Sequence, residues 1–340
     1  MWLLLGINAG VSATENEMSK NILITNVAYG DEYSNVFLNY HLKSLFDETN
    51  LPTWAHRIVK YIIFTDSATR EKLLTHPQIQ KLRQYTEVEI AVLTNLDECK
   101  DEERFKVRYN ALAFTLKIGT EKAIENDAYL APFTADMFFA KNFLTKCFKR
   151  IDEDYDSVLV MPLRCAFEPM SRELDKFDGS VYPEHLGQLG IANLHPIWTC
   201  AFWDSPMFTR EPFSILWNTE TGLLVKSYSV TPIVFKPIEP IYGIIDMLVP
   251  GMCKNPFWAT DWTDAPVANI EFIFCHYPMF NIQPATPLKI AHWAKRTLQP
   301  SQHAFLENSL YYPNKQVACA DHVEGWADKI VRQIKGFTPS

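Results

Sequence analysis

The chain has 340 residues, 47% of them hydrophobic, enough to bury a large core in one domain or two. A net charge of -8, an isoelectric point near 5.6 and the lack of any basic stripe argue against a nucleic-acid partner. The seven cysteines are scattered without a C-x-x-C pair, which disfavours a zinc ribbon or a disulfide scaffold and favours reduced thiols in a cytoplasm.

Residues 1–13, MWLLLGINAGVSA, form an apolar run that lacks the positive flank of a signal peptide and is too short to span a bilayer. The more natural start at Met18 marks residues 1–17 as an N-terminal extension, and no later stretch is apolar enough for a transmembrane segment. Residues 21–28, NILITNVA, predict a strand buried on both faces. A polar loop follows at Tyr29-Gly30-Asp31-Glu32-Tyr33, then a helical pattern over 35–46. Residues 61–65, YIIFT, predict a second strand ending at Asp66-Ser67, either of which can cap the next helix. A third strand is expected over 88–93 and a long helix over 103–126. In DAYLAPFTADMFF, residues 128–133 predict a short buried strand that stops near Pro132, which has no amide hydrogen to give a ladder. A helix is expected over 140–148 and another strand over 157–161. This alternation predicts βαβ units and a mostly parallel sheet with helices on both faces over about 21–166.

From about residue 169 the texture changes. Trp and Pro become frequent, clean alternation disappears, and an irregular half is expected, with strands over 222–229 and 233–236 and helices over 288–297 and 323–334. The chain thus divides into an extension at 1–17, an α/β half at 18–168, and a second half at 169–340 packed on the same sheet.

No G-x-G-x-x-G, Walker loop, G-x-S-x-G or H-E-x-x-H occurs, which weakens dehydrogenases, P-loop enzymes, α/β-hydrolases and zinc proteases together. In open α/β sheets ligands bind beyond the carboxyl ends of the strands. Three polar tips fall there, and together they make a nucleotide pocket. Backbone amides at Ala28 and Tyr29 can meet a diphosphate. Asn26 and Asp66 can meet the nucleoside, although Asp66 also suits a helix cap. Thr134 and Asp136 follow the fourth strand, where Asp136 holds a divalent metal or a sugar hydroxyl, or else caps the next helix. The acidic run at 152–156 contains two D-x-D spacings but precedes its strand, and so reads as a solvated loop. His195, His276 and Asp246 are lone polar residues in apolar segments, suited either to acid–base or ligand roles or to satisfied core positions. The aromatic content, 13%, suits either sugar stacking or core packing.

The opening NILITNVAYG strand, the second strand closing on TDS, the long helix and the strand ending in T-A-D resemble the nucleotide-sugar-binding half of glycosyltransferases with the GT-A fold. The second half, with NLHPIWTCAFW, PFSILWN, GLLVKSYSVTPIVFKP and IAHWAK, resembles a group of bacterial glycosyltransferase-like proteins in which an H-P and a W-x-x-x-x-G-L-L core recur. The resemblance covers about residues 18–310. It implies a Rossmann-like GT-A sheet and transfer of a sugar from a nucleotide-sugar donor to a glycan, lipid or protein acceptor. It also implies Mn²⁺ or Mg²⁺ on the last acid of a D-x-D motif. Here that acid is Asp136, Thr134 stands in place of the first, and His276 is the candidate for a late metal ligand. Asp136, His195 and Asp246 become the catalytic candidates. The alternative is a non-catalytic nucleotide- or carbohydrate-binding module on the same fold.

Overall fold

The structure, a computed structural model, describes residues 20–97, 104–272, 283–313 and 321–337. The extension at 1–17 and His276 lie outside the described residues. In chain order the strands are β1 (Ile22–Val27), β2 (Ile58–Thr65), β3 (Val88–Val92), β4 (Tyr129–Thr134), β5 (Met137–Phe139), β6 (Ser157–Val160) and β7 (Leu163–Ala166). They continue as β8 (Ser214–Asn218), β9 (Leu223–Ser227), β10 (Thr231–Phe235), β11 (Pro256–Trp258), β12 (Val267–Glu271) and β13 (Ser309–Tyr312).

The central sheet has seven strands in the order β11-β6-β10-β4-β1-β2-β3. Strands β3, β2, β1 and β4 run parallel to one another. Strand β10 is antiparallel to both β4 and β6, and β11 is parallel to β6, so β10 alone runs against the rest. All six residues of β1 are buried, as a central strand covered on both faces requires. One face carries Ile22, Ile24 and the helical segments from Phe37 to Leu45 and from Phe143 to Ile151. The other carries Leu23 and Val27 against the helix Arg104–Glu125. Two smaller sheets, β5-β12-β7 and β13-β9-β8, flank the central one.

Several expectations are corrected. Strand β4 does not stop at Pro132. It pairs with β1 through Thr134, while its other neighbour, β10, meets it in register only at Leu130. The proline therefore sits where a ladder on that side has already ended, and its missing N–H costs little. The helix expected over 140–148 runs Phe143–Asp152, and β5 lies between it and Asp136, so Asp136 is not its cap. Its buried residues Phe143, Leu144, Cys147, Phe148 and Ile151 form one stripe. The central sheet is not confined to residues 21–166, because β10 and β11 come from the second half and β10 inserts between β4 and β6. Among the described residues no helix is long and apolar enough to cross a membrane.

One local irregularity bears on the site. A helix begins at Gly30, inside the stretch expected to be a polar loop, and widens to a π turn over Phe37–His41. His41 is thereby set in the core, with Nδ1 3.0 Å from the Met137 carbonyl and Nε2 3.0 Å from the Tyr61 hydroxyl. A carbonyl only accepts, so Nδ1 carries the proton and Nε2 accepts from Tyr61. Burial drives the imidazole pKa down to about 3 and keeps it neutral. A neutral histidine therefore fixes the backbone immediately after Asp136.

Candidate functional site

Strands β2 and β3 lie on one side of β1 and β4 lies on the other, so the strand order reverses between β1 and β4. That reversal is where ligands bind in open α/β sheets. A cavity of about 320 Å³ opens there. Thr25 and Val27 of β1 and Pro132, Thr134 and Asp136 at the end of β4 form its sheet wall. Tyr109, Leu112 and Thr115 of the helix Arg104–Glu125 face them. Because β10 runs antiparallel, its entry residues Ser229 and Thr231 reach the same rim as the exit residues Met161 and Pro162 after β6.

Asp136 is 3% exposed and lines this cavity. Thr134 Oγ1 donates to its Oδ1 at 2.5 Å, and its carbonyl accepts from the Ile270 amide at 2.8 Å, which ties the turn to β12. Across the cavity, Asp246 stands in the first turn of the helix Ile245–Met252. Its Oδ1 is closed off from solvent and accepts no hydrogen bond. Burial pushes its carboxyl up to about 6, against the opposing pull of the Arg164 charge and of the Thr231 and Ser229 hydroxyls. Arg164 and Asn269 face one another in register on β7 and β12. Arg164 Nε is 3.4 Å from Oε1 of Glu271, whose side chain is 4% exposed. Asn269 Oδ1 is a second buried acceptor with no donor. Two unpaired acceptors, four carboxylates (Asp136, Glu211, Asp246 and Glu271) and one guanidinium on a partly aromatic wall suit a ligand rich in hydroxyl donors.

The structure brings Thr134, Asp136 and Asp246 together and leaves the other candidates elsewhere. Asn26 is adjacent to Thr25 on β1 and so points to the opposite face, where its Nδ2 is 3.4 Å from His41 Nε2 in the core. Ala28 is fully buried, and neither it nor Tyr29 lines the cavity. Asp66 is a helix cap. It accepts from the Thr69 amide and hydroxyl, both at 2.7 Å, and from the Gly30 amide at 2.7 Å. Gly30 holds φ +62, a left-handed conformation that favours glycine. Burial works to raise the Asp66 carboxyl, but the Thr69 and Gly30 hydrogen bonds outweigh it and the net direction is downward. His195 is buried and caps the short helix Pro196–Thr199, its Nδ1 accepting from the Ile197 amide at 3.2 Å. Its amide donates to the Arg164 carbonyl at 2.9 Å, so it supports the site's frame without lining the cavity.

The acidic run at 152–156 is structural. Asp152 pairs with the buried Arg57, and Asp156 Oδ2 accepts from the Lys254 and Asn255 amides at 2.6 and 2.9 Å. Arg164, Asn269 and Glu271 escaped the sequence reading. Each is a polar residue in an otherwise apolar strand, the signal that singled out Asp246.

Among the described residues no group of three or more His, Cys, Asp or Glu side chains is arranged to hold a metal ion. Asp136 offers a single buried carboxylate at the end of β4, and a cation of the Mg²⁺ kind takes one or two carboxylates and completes its shell with phosphates and water.

The chain matches no family model and no curated protein sequence. Among solved structures, the apo form of mouse xyloside xylosyltransferase 1 is similar to it at 11% identity and a TM-score of 0.27. The similarity covers 46% of this chain and 58% of that one, so the chain spans less than two thirds of the length of the structure it matches.

Proposed function

We propose that the protein is a glycosyltransferase of GT-A-like fold, moving a sugar from a nucleotide-sugar donor to an acceptor hydroxyl. The observation that carries this reading is the buried carboxylate of Asp136 on a cavity at the β1/β4 reversal. Support comes also from Asp246 Oδ1 and Asn269 Oδ1, two acceptors in want of hydroxyl donors.

In this reading the donor diphosphate lies beyond the ends of β1 and β4. Mn²⁺ or Mg²⁺, when bound, neutralises the leaving diphosphate, and Asp136 is the residue that would hold it together with the donor's own phosphates. The Thr134 hydroxyl and the Ile270 amide fix Asp136 before substrate arrives, so little reorganisation accompanies reaction. Asp246 is the base. Its carboxyl, raised to about 6, is ionised at neutral pH yet a stronger proton acceptor than an ordinary aspartate. It takes the proton of the acceptor hydroxyl as that oxygen bonds the anomeric carbon and the bond from that carbon to the diphosphate breaks. Arg164, pinned by Glu271, holds positive charge nearby and keeps Asp246 from rising further.

The test is nucleoside-diphosphate release from a panel of uridine-, guanosine- and thymidine-diphosphate sugars, with and without Mn²⁺. Turnover by the wild type and loss of turnover in Asp136→Ala is the expected result. Donor binding without turnover for every sugar would instead identify a non-catalytic binding module.

A further inference from the structure

A second cavity, of about 340 Å³, lies against the helix Pro287–Thr297. Its lining includes Arg210, Lys289, His292 and Arg296 and, among the described residues, no carboxylate. Lys289 donates to Gln283 Oε1 at 2.7 Å, and Arg296 Nε to the His292 carbonyl at 3.2 Å, so both cations have neutral partners there. In a chain of net charge -8, a concave surface of this composition is a local inversion of sign. Trp293 and Phe208 also line it. The Trp293 ring is held edge-on by Phe213 at 4.9 Å, and Phe213 belongs to the first cavity. Thr209 lines both cavities, so they adjoin.

We propose that this groove binds an anionic saccharide, one bearing carboxylate or phosphate groups, and holds it as the acceptor whose end reaches the first cavity past Thr209. Guanidinium forks match carboxylate and phosphate oxygens bidentately, and an aromatic floor suits a sugar ring. A membrane surface is the poorer fit. The helix Pro287–Thr297 turns Ile290, Ala291, Trp293 and Ala294 inward and keeps no apolar face to insert into a bilayer. The acceptor role rests on the transfer reaction proposed above, whereas the affinity for an anionic saccharide does not.

The experiment is calorimetric titration of the full chain with hexagalacturonate, glucose 6-phosphate and neutral maltohexaose. The wild type and Asp136→Asn should bind hexagalacturonate or glucose 6-phosphate equally well, and which of the two binds identifies the anionic group. Maltohexaose should bind about tenfold more weakly or not at all. The double variant Arg210→Ser/Arg296→Ser should lose about tenfold or more in affinity for the charged sugar, and 0.5 M NaCl should weaken it in the wild type. Should the double variant melt early, Lys289→Gln, a single exposed change, should still weaken binding several-fold. Equal binding of charged and neutral sugars, no binding of either anion, unchanged affinity in the variants, or binding only to phosphatidylglycerol vesicles would overturn the proposal. Groove binding without any nucleotide-sugar turnover would overturn the acceptor role and leave the anion site, so the two failures are distinguishable.

Discussion

At the end of β2, Asp66 accepts three hydrogen bonds of 2.7 Å from Thr69 and Gly30, and its carboxylate is committed to joining a helix start to a neighbouring loop. At the end of β4, Asp136 accepts from Thr134, is buried as Asp66 is, and lines a cavity. Both acids occupy the rim where an α/β sheet places its ligands. The element that the chain enters next separates them. After β2 a helix begins at Ser67 and presents its free amides to Asp66. After β4 the chain makes a tight turn into β5, whose backbone is held by His41 and β12, and no helix start consumes the acid. Rim position alone therefore does not make a site.

This contrast can be broken most directly at Asp136. Asp136→Asn keeps the shape of the turn and should lower sugar transfer about 100- to 1,000-fold, measured as kcat/KM for the donor, with little change in the melting temperature of the free protein. A comparable loss, about 100-fold or more, is expected for Asp246→Asn, and the wild-type rate should fall on an acid limb with a midpoint near pH 6. Asp246 also sharpens the contrast through stability. Its folded-state pKa lies above the unfolded value of about 4, so ionising it in place costs stability that grows as pH rises from about 4 to 6. Asp246→Asn should therefore be more stable than the wild type at pH 8, by about 1–2 kcal/mol after solvent screening, and no more stable at pH 4. Denaturant titrations at the two pH values read this difference. Asp66→Ala should behave in the opposite sense, losing about 1–2 kcal/mol of stability at pH 7 with transfer rate changed little. Because the Asp66 pKa is lowered by folding, that stabilisation is present above about pH 4 and is lost as pH falls through the folded value. The gap between Asp66→Ala and wild type should close in acid.

The parts of this molecule that the sequence made legible are those whose chemistry is local. Strand β1 and the second half of β2, from Tyr61 on, are buried because they are covered on both faces, and the helix after β2 follows from its Asp66 cap. The identification of Asp136 as a rim acid needed only the strand before it. Strand β10 could not be placed in the same way, because nothing in Thr231–Phe235 says that it will run backwards between β4 and β6. The same holds for Arg164, Asn269 and Glu271, which meet only through the register of β7 on β12. His195 and Asp246 drew attention for one reason, a polar group amid apolar neighbours. One became a helix cap and the other a cavity acid, because that pattern reports burial and not role. Alternation along β1 fixed the fate of Asn26 in the same way, since a residue beside a cavity-lining Thr25 must face away from it.

Two single-atom-scale changes, Asp136→Asn and Asp66→Asn, separate the two rim acids when read by thermal shift with nucleoside-diphosphate sugars and Mn²⁺. A ligand that binds only the folded state raises the melting temperature. One such sugar should raise it in the wild type and in Asp66→Asn, and should fail to raise it in Asp136→Asn. An undiminished rise in Asp136→Asn, or no rise in the wild type with any donor of the panel, would contradict the role given to Asp136.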